Sequence, residues 1–319
     1  MLRVLVAFMV MSLCSLSTAM TTTIGSTHSK ITHVIYITID GSRWQDIFND
    51  HSYFQKTWMK HAKHAIFYGA PDGETTMEVA SIPISLPSYQ SQMGGAVQSC
   101  GGNECGRIQQ VTLLENIMHQ LHVDKKEVAV FASWNEIALA SESVLDTVYV
   151  NAGNAPANDP ITEHPDEVML RLNRAQDRDN PGGGDRYDTY TFAHALHYLK
   201  KYQPRFLWIS LNDTDEMAHE NNLPKYHEAL VFADDAIDQV ITTLKQLHLM
   251  KETLVIVTTD HGRGDGEYWT THGIEHPESK RTWAFVINGE LTSTSKDNNF
   301  THYSTLSIRP TIEAALGLQ

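Results

Sequence analysis

Residues 31–43, ITHVIYITIDGSR, restrict the fold more than any other stretch of the chain. The run is apolar and β-branched without the polar alternation of a half-exposed strand, so it predicts a strand buried on both faces of a parallel sheet. It stops on Asp40, and Gly41 behind it lets the backbone turn. Two later stretches repeat the plan. FLWISLN, residues 206–212, runs into Asp213, Asp215 and His219, and LVIVTT, residues 254–259, runs into Asp260, His261 and Gly262. Parallel strands present functional groups at their carboxyl ends. Three strands ending in carboxylates, two of them with histidine, predict a metal site at one edge of the sheet.

The rest of the sequence alternates strand and helix signals, which predicts an α/β fold with a mostly parallel central sheet flanked by helices on both faces. Residues 111–122 and 187–201 read as helices, and residues 225–247 as a long amphipathic crossover before LVIVTT. Residues 127–132 and 282–287 read as further strands. Residues 306–316 read as a closing helix, with Pro310 near its start and Gly317 past its end. Residues 45–64 suggest a helix and connector. NAGNAPANDP and RDNPGGGDR fall within residues 141–186, predicting a loop-rich insertion beside the site in a single catalytic domain over 20–319.

The 319 residues carry a formal net charge of −14. Such a surface repels phosphate backbones and anionic membranes, so nucleic acid is not an expected structural partner. An anionic substrate would need a local positive field, which bound metal ions can supply. Residues 1–19 combine Arg3, an apolar run and Ser17-Thr18-Ala19, the pattern of a cleavable signal peptide. No later apolar run is long enough to span a bilayer, so the mature protein is expected to be exported, periplasmic or secreted, without a membrane partner. In an oxidising compartment Cys100 and Cys105, in CGGNEC, predict a disulfide across a tight loop, with a metal pair as the rival reading.

Asp215 and His219 stand four apart, so a helical turn would put both on one face, close enough to share an ion. Asp260 and His261 would splay at a strand end, with Gly262 relieving crowding. His272 and His276 follow within one loop. In SIPISLPSYQSQMGG, Ser85 precedes Pro87 as though held at a helix start, where backbone N–H groups favour an anion. No G-x-S-x-G elbow is present, and a lone serine hydroxyl is too weak an acid to attack; metal coordination is one way to activate it.

Taken in order, these motifs resemble the alkaline phosphatase superfamily, and within it the type I phosphodiesterase/nucleotide pyrophosphatase branch. IDGSRW resembles that branch's opening, and SLPSYQSQMGG its T-F-P-N-H-Y nucleophile segment, with Ser85 in the threonine position. The resemblance implies two divalent ions, usually Zn2+, with Mn2+ or Fe as options for such mixed donors. Asp215, His219 and His272 would hold one; Asp40, Asp260 and His261 would hold the other, with Ser85 Oγ against it as nucleophile. The small phosphate ester would pass through a phosphoserine. Ser88 stands where the branch carries a phosphoryl-binding asparagine, and Asp213 is a nearby alternative carboxylate. Arg43, Arg107 and Arg263 are candidates for the second non-bridging oxygen, whose surroundings separate monoesters from diesters; Met77, Trp134 and Asn135 are candidate pocket residues.

Two rivals remain at this point. Sulfatases of the same superfamily build their nucleophile by oxidising the first residue of (Cys/Ser)-x-Pro-x-Arg, and here Tyr89 replaces that arginine. A non-catalytic exported binding protein would keep the metal ligands without needing Ser85.

Overall fold

A computed structural model of the chain describes residues 29–69, 76–291 and 302–319. The expected signal peptide lies outside these residues. Among the described residues there are nine strands: β1 (His33–Ile39), β2 (Ala65–Tyr68), β3 (Thr76–Glu78), β4 (Val128–Ala132), β5 (Tyr149–Ala152), β6 (Phe206–Leu211), β7 (Thr253–Thr258), β8 (Ala284–Ile287) and β9 (His302–Ser304). Seven build the central sheet in the order β2-β8-β7-β1-β6-β4-β5, and β3 pairs with β9 apart from it. Only β8 runs against its neighbours in the large sheet.

The helices are α1 (Trp44–Phe48), α2 (Ser85–Gly94), α3 (Leu113–Leu121), α4 (Ala138–Ser141), α5 (Glu167–Arg178), α6 (Asp188–Tyr202), α7 (Asp213–His219), α8 (Leu223–Gln246) and α9 (Ile308–Leu316). They make two layers because successive side chains of a strand point to opposite faces. Ile35, Ile37 and Ile39 of β1 join one core with Tyr198 of α6 and Ile237 and Val240 of α8. Val34 and Tyr36 join the other with Leu86 and Tyr89 of α2, Leu114 of α3 and Ile312 of α9. Each fully buried aliphatic side chain contributes about 1.5–3 kcal/mol, so the central strands are fixed from both sides. Register then aligns their ends: Thr38 is level with Ser210 and Thr258, and Ile39 with Leu211.

Two expectations are corrected. Residues 141–186 are not simply a loop-rich insertion, since β5 is an edge strand of the main sheet and α5 packs against α6. Asp166 caps α5 by accepting from the Met169 N–H at 2.9 Å. The glycine run does form a turn, with positive φ at Gly182, Gly183 and Gly184. Residues 45–64 form the short α1, a wide helical turn at Thr57–His61 and a tight one at Ala62–His64, and they lead into β2, which the sequence reading did not anticipate.

Candidate metal centre

The ends of β1, β6 and β7 meet the first turn of α2. Gly41 has φ +58°, and a Cβ there would run into the Asp215 carboxylate and lie 3.3 Å from Arg263 Nε. Both the backbone conformation and the space therefore call for glycine. Its N–H donates to Asp260 Oδ1 at 3.0 Å, tying the β1 turn to the β7 end. Asp40 is held by the Tyr89 hydroxyl, which donates to Oδ2 at 3.0 Å, and by Thr214 Oγ1, which donates to its backbone carbonyl at 2.5 Å.

Two histidines enter with defined tautomers. His261 Nδ1 lies 2.8 Å from the Gly262 carbonyl and His272 Nδ1 2.8 Å from the Pro83 carbonyl. A carbonyl can only accept, so each Nδ1 carries the proton and each Nε2 offers its lone pair to the centre. The rings stack at 3.9 Å. Burial pushes His261 down to about 4 and His272 to about 3, so both are neutral, as metal ligation requires.

His261 Nε2 is 3.3 Å from Asp260 Oδ2, 3.6 Å from Asp40 Oδ1 and 3.2 Å from Ser85 Oγ, which itself lies 3.5 Å from Asp40 Oδ1. His219 Nε2 sits 3.1 Å from both Asp215 Oδ2 and His272 Nε2. All six expected ligands and Ser85 thus converge. Ligand atoms of Asp40, Asp260 and His261 lie within 4.8 Å of one another, as do those of Asp215, His261 and His272. His272, not His276, faces the centre; His276 lies against Tyr268.

The electrostatics fit a cation. Burial and the neighbouring Asp260 and Asp215 push Asp40 well above the usual carboxylate range, and burial pushes Asp260 up to about 6. Asp260 Oδ2 is buried without a hydrogen-bond donor. Such a carboxylate is costly unless an ion binds it, and this donor set of oxygens and imidazole nitrogens suits divalent metals.

The four substrate-binding candidates have other tasks. Ser88 Oγ donates to the Asp260 carbonyl at 2.7 Å and so braces a ligand from behind. Arg43 makes two hydrogen bonds to Asp46, at 2.7 and 2.9 Å, and lies over Tyr226 and Trp269. Arg107 donates to the carbonyls of Ala138 and Glu142. Arg263 is in the centre and paired with Asp215: it donates to the side chain, to the Asp215 carbonyl at 3.1 Å and to the Thr270 carbonyl at 3.1 Å, while its Nε is buried without a partner. Asp213 accepts from the Asp188 N–H instead of joining the centre, and Met77 is wholly buried in the core. Sequence reasoning missed Tyr89, although its position one helical turn after Ser85 places both on one face of α2. It also missed the Pro83 carbonyl that fixes His272, for which no sequence signal exists.

A family model described as sulfatase matches residues 151–318, more than half of the chain and including Asp215, His219, Asp260, His261 and His272. No match is found among curated proteins. Among solved structures, BT1596, a 2-O GAG sulfatase, shares 12% identity at a TM-score of 0.60, covering 91% of this chain and 71% of its own. A TAB5 alkaline phosphatase mutant with Mg bound in the M3 site shares 14% identity at a TM-score of 0.55, covering 91% and 99%. The lipoteichoic acid synthase LtaP from Listeria monocytogenes shares 13% identity at 0.57, covering 91% and 73%. At these identities the likeness is one of fold.

Proposed function

The chain belongs to the sulfatase family, within the alkaline phosphatase superfamily, and from that premise we propose that it hydrolyses phosphate esters through a phosphoserine on Ser85. The observation that carries this reading is the placing of Ser85 Oγ at the first turn of α2, within 3.2 Å of His261 Nε2 and 3.5 Å of Asp40 Oδ1. The phosphodiesterase-like branch resembled by the motifs puts its nucleophile at the same point. Sulfatase maturation needs the arginine that Tyr89 replaces, and the Tyr89 hydroxyl is committed to Asp40. Ser85 therefore stays an ordinary hydroxyl.

Asp40, Asp260 and His261 would hold one divalent ion beside Ser85, and Asp215, His219 and His272 a second, with Zn2+ the first choice and Mn2+ or Fe alternatives. When bound, the ions supply the positive charge that acidifies the serine hydroxyl and draws in the phosphoryl group. Ser85 Oγ attacks phosphorus, the bond to the ester oxygen breaks, and the alcohol leaves with a proton. Water then cleaves the Ser85–phosphorus bond, restoring the hydroxyl and releasing the phosphate product. Arg43, Arg107 and Arg263 are each paired with a carboxylate, Asp46, Glu142 and Asp215, so none brings an unpaired positive charge to a second non-bridging oxygen, which favours diesters over monoesters. The Cys100–Cys105 disulfide supports an exported protein.

Zinc-loaded wild type and Ser85→Ala, assayed on p-nitrophenyl phosphate, bis-p-nitrophenyl phosphate and p-nitrophenyl sulfate, test this. Turnover is expected on the diester, falling by about 10^3-fold or more in the variant. Sulfate esters are the second reading, favoured by the family match. Turnover of the sulfate alone would establish it and reject the phosphoserine.

A further inference from the structure

We propose that Arg263 makes the two metal positions unequal: the position at Asp40, Asp260 and His261 holds a resident ion, and the position at Asp215, His219 and His272 holds a weaker, exchangeable one. This rests on the two-metal reading above and concerns a residue that lies outside the ligand set.

The charges differ between the positions. Asp40 and Asp260 bring two carboxylates together, and the groups that hydrogen-bond to their side chains are hydroxyls and a backbone N–H, none of them charged. Asp215 brings one carboxylate, and it is already paired with the Arg263 guanidinium. The Arg263 side chain is 0% exposed, and the carbonyls of Asp215 and Thr270 hold it where it is. An arriving ion cannot displace it into water. A divalent ion at Asp215 therefore meets a fixed positive charge bonded directly to its carboxylate, whereas one at Asp40 and Asp260 meets the same charge only from beyond hydrogen-bond contact and against two carboxylates. Access points the same way: the His219 side chain is 44% exposed, while His261 is fully enclosed.

Arg263 also braces the ligand it neutralises. One Asp215 oxygen is taken by the guanidinium, which leaves Oδ2 turned toward His219. The outer position is thereby shaped for an ion and weakened for it at once. Hydrolysis would follow the free concentration of the metal, with the inner ion always in place.

Calorimetric titration of the metal-free full chain with Zn2+ tests this. The wild type should show two steps with affinities at least about tenfold apart. Asp215→Asn should remove the weak step alone. Arg263→Gln should strengthen the weak step by about tenfold or more and leave the tight step where it was. Equal affinities in the wild type would overturn the proposal without any variant having to fold. So would loss of the tight step in Asp215→Asn, or a weakened second step in Arg263→Gln. A wild-type chain that binds no zinc would instead reject the two-metal reading itself, and this inference with it.

Discussion

Two buried ionic clusters lie at neighbouring strand ends of one sheet, and they are finished differently. Beyond β4 and β5, Arg186 donates to Thr191 Oγ1 at 2.8 Å, to Asn151 Oδ1 at 2.5 Å and to the Asn151 carbonyl at 3.0 Å. The Thr191 and Ser133 hydroxyls, 2.7 Å apart, pass the chain to Asp188, which accepts from Ser133 Oγ at 2.6 Å and from the Asn212 and Asp213 N–H groups. Cation and anion share one relay. Beyond β1, β6 and β7 the metal centre gathers three carboxylates around one guanidinium, and Asp260 Oδ2 has no donor. The first cluster is a complete polar network that fixes the sheet edge; the second is an incomplete one, and its shortage is of positive charge. Burial has opposite meanings at the two places.

Breaking the complete network should cost most. Arg186→Met leaves the Asn151 and Thr191 acceptors without their donor and removes the buried cation whose charge reaches Asp188 through the relay, an expected loss of about 3–5 kcal/mol in urea unfolding. A loss below about 1 kcal/mol would mean that the relay does not stabilise the fold, and the contrast would fail.

The two clusters were also unequally legible in the sequence. The metal centre announces itself because three apolar strands end on its ligands, and because D-H-G and D-x-x-x-H place them at fixed offsets. Arg263 stood next to one motif, yet its partner Asp215 belongs to another element, and only the folded chain brings them together. The Arg186 network gave no such signal. Its β5 strand is four residues long, and α5, although amphipathic, is mostly charged and polar and buries only Met169 and Gln176, so both were outweighed by the loop signals of NAGNAPANDP and RDNPGGGDR on either side. Region 141–186 looked like loop because more of its buried side chains are polar, Asn151, Asp159, Gln176 and Arg186 among them, than apolar. Arg43 and Arg107 misled for the opposite reason: an arginine near a motif looks available until its acceptors, Asp46 and the α4 carbonyls, are seen.

The contrast sharpens at Asp260, where the effect should change sign with metal. Asp260→Asn keeps an oxygen for the Gly41 N–H and removes one of three crowded carboxylates. In metal-free protein it should stabilise the fold by about 1 kcal/mol or leave it unchanged. In zinc-loaded protein it should destabilise, because a ligand is lost and with it part of the binding free energy that favours the folded state. Thermal unfolding with and without zinc reads both. The same sign in both states would show that the carboxylates are not a metal receptor.

The smallest difference between metal-free and zinc-loaded protein is expected at Tyr89, which offers the centre a neutral donor where an ion offers charge. Tyr89→Phe keeps the ring against Trp208, 5.6 Å away, and deletes one hydroxyl that donates to Asp40. Metal-free protein depends on that donor, since Asp40 has little else, and should lose about 0.5–1.5 kcal/mol. With zinc bound, the ion takes over the neutralisation of Asp40, and the loss should shrink toward zero. An unchanged loss in both states would assign Tyr89 to packing and remove it from the metal centre.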